Sequence, residues 1–178
     1  MNKVKFLFLI CSIPFMAFSQ EDARFPIDPD SKLLTYQGVV QQAGTQDELY
    51  IRGIEWLNSY YKNPFDVCKV RNRESGVIEL RHRIEIKQPE VEGNLTVAVI
   101  NYELKLEFKP GRYRYTITNM TLSQASRVPA EKWLNKNDQD YSPLWDDYLK
   151  QLDAQIMDVI NNLKQKMQPV EAAPEEKW

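Results

Sequence analysis

Between Gly76 and Leu122 polar and apolar positions alternate through three consecutive runs. In the first, Ile78, Leu80, His82, Ile84 and Ile86 share one face against Glu79, Arg81, Arg83, Glu85 and Lys87. The second sets Thr96, Ala98, Ile100, Tyr102, Leu104, Leu106 and Phe108 against Val97, Val99, Asn101, Glu103 and Lys105. The third follows Pro110-Gly111 with Tyr113, Tyr115 and Ile117, after which the apolar residues fall out of phase at Met120 and Leu122. A sustained period of two predicts antiparallel strands with one apolar face, which other elements must cover. The slip predicts a bulge near Asn119 or an edge position. Weaker alternation predicts a first strand over Leu33–Gln41 and a short strand over Phe65–Asn72.

Two segments change to helical spacing. Thr45-Gln46-Asp47-Glu48 is a capping box: the Thr45 hydroxyl accepts from the Glu48 amide and the Glu48 carboxylate reaches back. Leu49, Gly53, Trp56, Leu57 and Tyr60 then recur on one side, and the helix ends near Tyr61 ahead of Asn63-Pro64. Glycine is costly inside a helix, so Gly53 belongs where the helix backbone approaches the sheet. Ser142-Pro143 opens the last helix, serine as N-cap and proline at the first position, with Asp146 and Asp147 near its positive end. Its stripe runs through Trp145, Leu149, Leu152, Ile156, Val159, Ile160, Leu163 and Met167. Gln124–Tyr141 is polar and irregular, with one helical turn from Val128-Pro129 to Trp133-Leu134.

The predicted order is β-α-β-β-β-β-α. Short connections make the last four strands a sequential antiparallel meander, and two one-sided helices belong together on one face of the sheet. The fold class is α+β: one antiparallel sheet, two helices on one face, and the other face open.

The termini stand apart from this pattern. Lys3 and Lys5 precede an apolar run from Phe6 to Phe15, and Ala17 and Ser19 supply the small residues of a cleavage site. Residues 1–19 read as a signal peptide cleaved after Ser19, too short to span a bilayer, and the chain is expected in the periplasm or outside the cell. Residues 20–32 read as an extended lead-in, 33–167 as a single domain and 168–178 as a disordered tail. Cys11 lies inside the apolar run without the small residue that lipidation requires before it. Its removal leaves Cys68, which has no internal disulfide partner and reads as a small buried hydrophobe. The full chain carries a formal net charge of -2. Cleavage removes two lysines and no acid, so the balance grows more acidic and excludes a nucleic-acid partner.

Pro26-Ile27-Asp28-Pro29-Asp30, Tyr36-Gln37-Gly38-Val39-Val40 and Asp47-Glu48-Leu49-Tyr50, followed by Trp56-Leu57, together resemble a secreted Bacteroidota family. It is known as domain of unknown function 4468 and has a TATA-box-binding-protein-like (TBP-like) fold. The resemblance covers about Pro26 to Met120. It implies an envelope location and the same element order, and it brings no catalytic or binding residues with it. The DNA-binding role of the fold does not follow, because one fold serves many functions and this chain is acidic.

The residues for enzymatic chemistry are sparse. His82 is the only histidine and shares strand parity with the core, where a satisfied, partly buried histidine is expected. One histidine and one cysteine after cleavage do not make a zinc site. The chain lacks a zincin helix, a glycine-rich phosphate loop and a nucleophile elbow. Asp28, Asp30, Asp47 and Glu48 lack the register of a calcium loop, and Glu48 already serves the capping box. No catalytic, cofactor-binding or metal residue is therefore assigned, and no cofactor is expected. In Arg112-Tyr113-Arg114-Tyr115 strand alternation separates arginines from tyrosines, so they do not form a stacking platform for nucleic acid. The sequons at Asn94 and Asn119 matter only in a glycosylating host.

The open sheet face remains as the candidate site. There Val97 and Val99 form an apolar island beside Arg81, Arg83 and Lys105, a surface suited to a protein, peptide or small-molecule ligand. The island also suits a homodimer or packing by Gln124–Tyr141. The leading expectation is a non-enzymatic exported binding or envelope-assembly domain acting through this face or that loop. A small hydrolase-like or accessory enzyme joining His82 to Glu79 or Glu103, and a purely structural domain, are the alternatives.

Overall fold

The alternating runs form long strands. The structure, a computed structural model, describes residues 25–88, 95–124 and 126–169. The expected signal peptide and its cleavage site, the turn at Pro89–Gly93, the sequon at Asn94 and most of the tail lie outside the described residues. The elements are β1 (Tyr36–Gln41), α1 (Gln46–Tyr60), a helical turn α2 (Pro64–Val67), β2 (Cys68–Asn72), β3 (Val77–Lys87), β4 (Thr96–Lys109), β5 (Arg112–Leu122), β6 (Val128–Pro129), a 3₁₀ turn (Ala130–Leu134) and α3 (Leu144–Lys166). The sheet has the order β1-β5-β4-β3-β2, with β6 also pairing with β5, and every pairing is antiparallel. β2 to β5 are the predicted meander, and α1 and α3 cover one face. The sheet pattern alone left the place of β1 open; it lies beside β5 at one edge.

The inner faces follow the predicted parity except at the start of β4, where the register with β3 shifts between Ile86 and Lys87 and Thr96, expected on the inner face, bonds to Glu85 and Lys87 of the open face. Ile78, Leu80, Ile84 and Ile86 from β3, Ile100 to Phe108 on alternate positions of β4, and Tyr113, Tyr115 and Ile117 from β5 are all buried. Asn119 adopts a left-handed conformation (φ 55°), and the β4–β5 register shifts between Asn101 and Glu103. This is the bulge that the slip predicted, and it returns Met120 and Leu122 to the core.

The helix ends behave as their sequences dictate. Glu48 N donates to Thr45 Oγ1 at 3.2 Å and Thr45 N donates to Glu48 Oε2 at 2.7 Å, so the capping box forms in full. The Thr45 amide, then its hydroxyl, hold the Glu48 carboxyl below the usual carboxylate range. At α3, Pro143 already has helical dihedrals and Leu144 N donates to Ser142 Oγ at 3.3 Å. A Cβ placed on Gly53 would lie 2.5 Å from Phe108 Cζ, which explains the glycine on the buried side of α1.

Two further expectations change. Phe65–Asn72 is not one strand: Pro64 starts a helical turn, because its fixed φ suits the first helical position, and the strand begins at Cys68. That turn leaves Phe65 83% exposed beneath the Arg71 guanidinium, 5.0 Å from the ring centroid. The lead-in is not extended over its described part either. The Asp28 carboxylate accepts from Ser31 N at 2.7 Å and Ser31 Oγ at 2.8 Å, folding the chain into a turn that brings Ile27 beside Leu34.

Candidate functional site

The open face of the sheet is a mesh of cross-strand charges. β3–β4 register sets Arg81 opposite Glu103 and Glu79 opposite Lys105, and β4–β5 register sets Glu107 opposite Arg114. Arg81 reaches Glu103 at 2.5 Å, Lys105 reaches Glu79 at 3.5 Å, and Arg114 reaches Glu107 at 2.6 Å. The Asn119 amide donates to Glu103 at 2.7 Å and, with Arg81, lowers the Glu103 carboxyl. Exposed pairs of this kind contribute little to stability. They do balance the charges of Arg81 and Lys105, which line a cavity of about 240 Å³ with Thr116 and Thr118. Arg83 is exposed near the edge of the same face.

Val97 and Val99 have different surroundings. Val99 is half-buried, paired with Glu85, and its carbonyl accepts from Ser123 N at 2.7 Å. Beside it, Glu85, Lys87 and Thr96 form a polar cluster in which Lys87 Nζ lies 2.6 Å from Glu85. Val97 is 38% exposed and stands at the rim of a cavity of about 250 Å³, between the start of β4, the end of β5, the 3₁₀ turn and α3. Leu122 and Val128 form its walls, and Trp133, Trp145 and Tyr148 its aromatic lining. The Trp133 and Tyr148 rings lie 5.4 Å apart.

The loop reaches this place because two anchors hold it. β6 pairs Val128 with Leu122 and Pro129 with Thr121. Farther along, Leu34 N donates to Glu131 Oε1 at 2.5 Å, tying the 3₁₀ turn to the approach to β1. Lys132 lies 5.8 Å from the Trp145 ring and pairs with Asp140 at 2.7 Å and Asp138 at 3.4 Å. The Asp140 bond holds the Lys132 ammonium pKa above its ordinary value. The sequence places Trp133 in a helical turn and Trp145 in the apolar stripe of α3. Their meeting beside Val97 depends on the path of the loop, which has no local signal.

His82 lies among aromatic rings. Its ring is 4.9 Å from Tyr61 and 6.2 Å from Tyr102, both edge to face. Burial, then the Arg83 charge, lower its pKa and favour the neutral ring. Glu79 and Glu103 are engaged on the opposite face, with Lys105 and with Arg81 and Asn119. Asp28 is committed to its turn, Asp47 to an ion pair with Arg73, and Glu48 to the capping box. Among the described residues no group of three or more histidine, cysteine or acidic side chains is placed to hold a metal ion. Among the same residues no helix is long and apolar enough to cross a membrane.

The aromatic cluster predicts an alkaline transition. The Tyr61 and Tyr102 hydroxyls lie 3.1 Å apart in the core. Burial pushes Tyr102 up to about 12 and Tyr61 further, and also raises Tyr36 and Tyr60, whose hydroxyls donate to Asp153 and Asp158. A folded-state pKa above the unfolded one contributes stability that is complete below the unfolded value, about pH 10, and lost as pH rises through the folded one. These tyrosines should ionise in one steep step that coincides with loss of the circular dichroism signal. A gradual titration centred near pH 10, with the fold intact, would contradict their burial.

The family described as "Domain of unknown function (DUF4468) with TBP-like fold" matches residues 36–123. A DUF4468 family protein from Bacteroides ovatus aligns with a TM-score of 0.61 at 15% identity, over 80% of this chain and 90% of its own. A TBP-like protein from Parabacteroides distasonis aligns with a TM-score of 0.55 at 13% identity, over 79% and 97%. At such identities the likeness is one of fold. No curated protein matches the chain.

Proposed function

From the DUF4468 domain that residues 36–123 carry, we propose an exported, non-enzymatic binding or envelope-assembly domain that takes an apolar side chain of a protein or peptide partner into the Val97–Trp133 cavity. The observation that supports this reading is convergence. The open strand face and the Gln124–Tyr141 loop are two separate candidates in the sequence, and Val97 from one and Val128, Lys132 and Trp133 from the other line a single cavity. Pockets for whole small-molecule ligands run from about 300 to 1,000 Å³. A space of about 250 Å³ suits a single anchoring side chain better. The export part of the proposal rests on the composition of residues 1–19. The hydrolase-like alternative needs a carboxylate beside His82, and the ones considered for that role are engaged on the other face.

Binding of N-acetyl-leucinamide and N-acetyl-tryptophanamide, with N-acetyl-glycinamide as the control, tests the cavity. The first two should shift the indole N–H resonances of Trp133 and Trp145 saturably, and the control should not. Val97→Lys at the rim should weaken binding at least tenfold, whereas Val99→Lys, outside the cavity, should leave it within twofold. Equal losses in both variants would move the site to the valine island. Indole signals indifferent to every probe would remove the cavity from consideration.

A further inference from the structure

The two edges of the sheet are finished differently. On the β2 side, β3 extends beyond its short neighbour, and α3 side chains occupy the uncovered main chain. Lys87 N donates to Gln151 Oε1 at 2.9 Å, Gln151 Nε2 donates to Lys87 O at 2.8 Å, and Gln155 Nε2 donates to Glu85 O at 3.1 Å. β2 itself carries Lys69 and Arg71. Charges, short strands and side-chain caps of this kind keep an edge from pairing with another chain.

β1 is also short, but its middle carries neither a charge nor a side-chain cap. The sequence is uncharged from Leu33 to Gln46, and no proline or bulge interrupts Tyr36–Gln41. Gln42 N donates to Gly111 O at 2.9 Å, so even-numbered residues turn their main chain toward β5 and odd-numbered ones turn it outward. The outward groups at both ends are used: Thr35 N donates to Pro26 O at 2.8 Å, and Ala43 O accepts from Arg52 at 3.0 Å. Among the described residues Gln37, Val39 and Gln41 have no such outward main-chain partner. Their side chains lie on the open face, with Val39 57% exposed.

This free edge is symmetric. Gln37, Val39 and Gln41 read the same in either direction about Val39. An antiparallel copy centred there would set Val39 against Val39 of the second copy and Gln37 against its Gln41. All three residues would then exchange both main-chain hydrogen bonds, with no charge opposing its like. An isologous two-fold contact demands this kind of self-complementarity. We infer that β1 is the interface of an antiparallel homodimer in which the two sheets become continuous through Gln37–Gln41. The inference does not rest on the proposed cavity: Val39 neighbours Arg114, which pairs with Glu107 at the opposite end of β4 from Val97.

Sedimentation velocity of the chain from Gln20 to Trp178, across micromolar to millimolar concentrations, reads the outcome. The wild-type protein should approach twice the monomer mass, and amide exchange at Val39 should slow as concentration rises. Val39→Lys and Val39→Glu should each stay monomeric with near-native melting, because the side chain is exposed, and an equal mixture of the two should recover the dimer. A wild-type protein that stays monomeric, or a Val39→Lys variant that still dimerises, overturns the inference. So does a chain starting at Phe25 that dimerises while the one starting at Gln20 does not, since residues 20–24 would then be the occupant of the edge.

Discussion

Replacing Ile156 with aspartate should abolish the cooperative melting transition of this protein at neutral pH. Ile156 is fully buried in α3, on the stripe that faces the sheet and α1. A carboxylate there loses its hydration without gaining a partner, a change that ranks among the most destabilising of single substitutions, above about 4 kcal/mol. A typical domain has only about 5–15 kcal/mol in total. Because burial raises the pKa of such a carboxyl, the deficit should shrink as pH falls and the group becomes neutral. Two companion variants separate this from a general intolerance of α3. Ile156→Ala leaves only a cavity and should cost about 2–5 kcal/mol while keeping the native fold. Met157→Asp, one residue on and 38% exposed, should stay within about 0.5 kcal/mol of the parent. If Ile156→Asp and Met157→Asp melt alike, the packing face of α3 is wrongly assigned.

The stripe that makes this prediction was legible in the sequence because helical periodicity is local. The same holds for the strand alternation, for the Thr45–Glu48 capping box and for the phase slip that becomes the bulge at Asn119. The turn at Asp28–Ser31 also had its signal, a short polar run of aspartate, proline and serine that favours side-chain-to-backbone closure. Other features depend on elements that meet only in the folded chain. Gln151 and Gln155 look like ordinary surface residues of a helix until α3 crosses the end of β3 and their amides find its main chain. The candidate site divides in the same way. Alternation puts Val99, Arg81, Arg83 and Lys105 on the open face, but only the register shift between Ile86 and Lys87, which leaves Val97 without a partner on β3, takes Val97 to the α3 side beside two tryptophans, and only tertiary geometry pairs Arg81 and Lys105 with acids.

Enlarging Gly53 should give the second large loss, through a contact that the sequence could place on the buried side of α1 but not identify. In an exposed helix, alanine in place of glycine stabilises by about 1 kcal/mol. Here the new Cβ would lie 2.5 Å from Phe108 Cζ, nearer than carbon atoms approach. The phenylalanine ring has little room to retreat: it is 1% exposed, Tyr50 packs edge-on at 5.9 Å, and Tyr113 lies at 6.3 Å on another side. Gly53→Ala should therefore lose its propensity gain and destabilise, and Gly53→Val should cost about 3 kcal/mol or more, at the upper end of overpacking. Double-mutant cycles identify the cause. Phe108→Ala alone removes a core ring and should cost about 3–5 kcal/mol. Combined with Gly53→Val, the total should fall short of the sum by at least about 1 kcal/mol, because each change relieves what the other creates. Strict additivity would mean that Gly53 answers to something other than Phe108. A stabilising Gly53→Ala would mean that α1 can move off the sheet, and that the close approach of helix and strand is not what fixes the glycine.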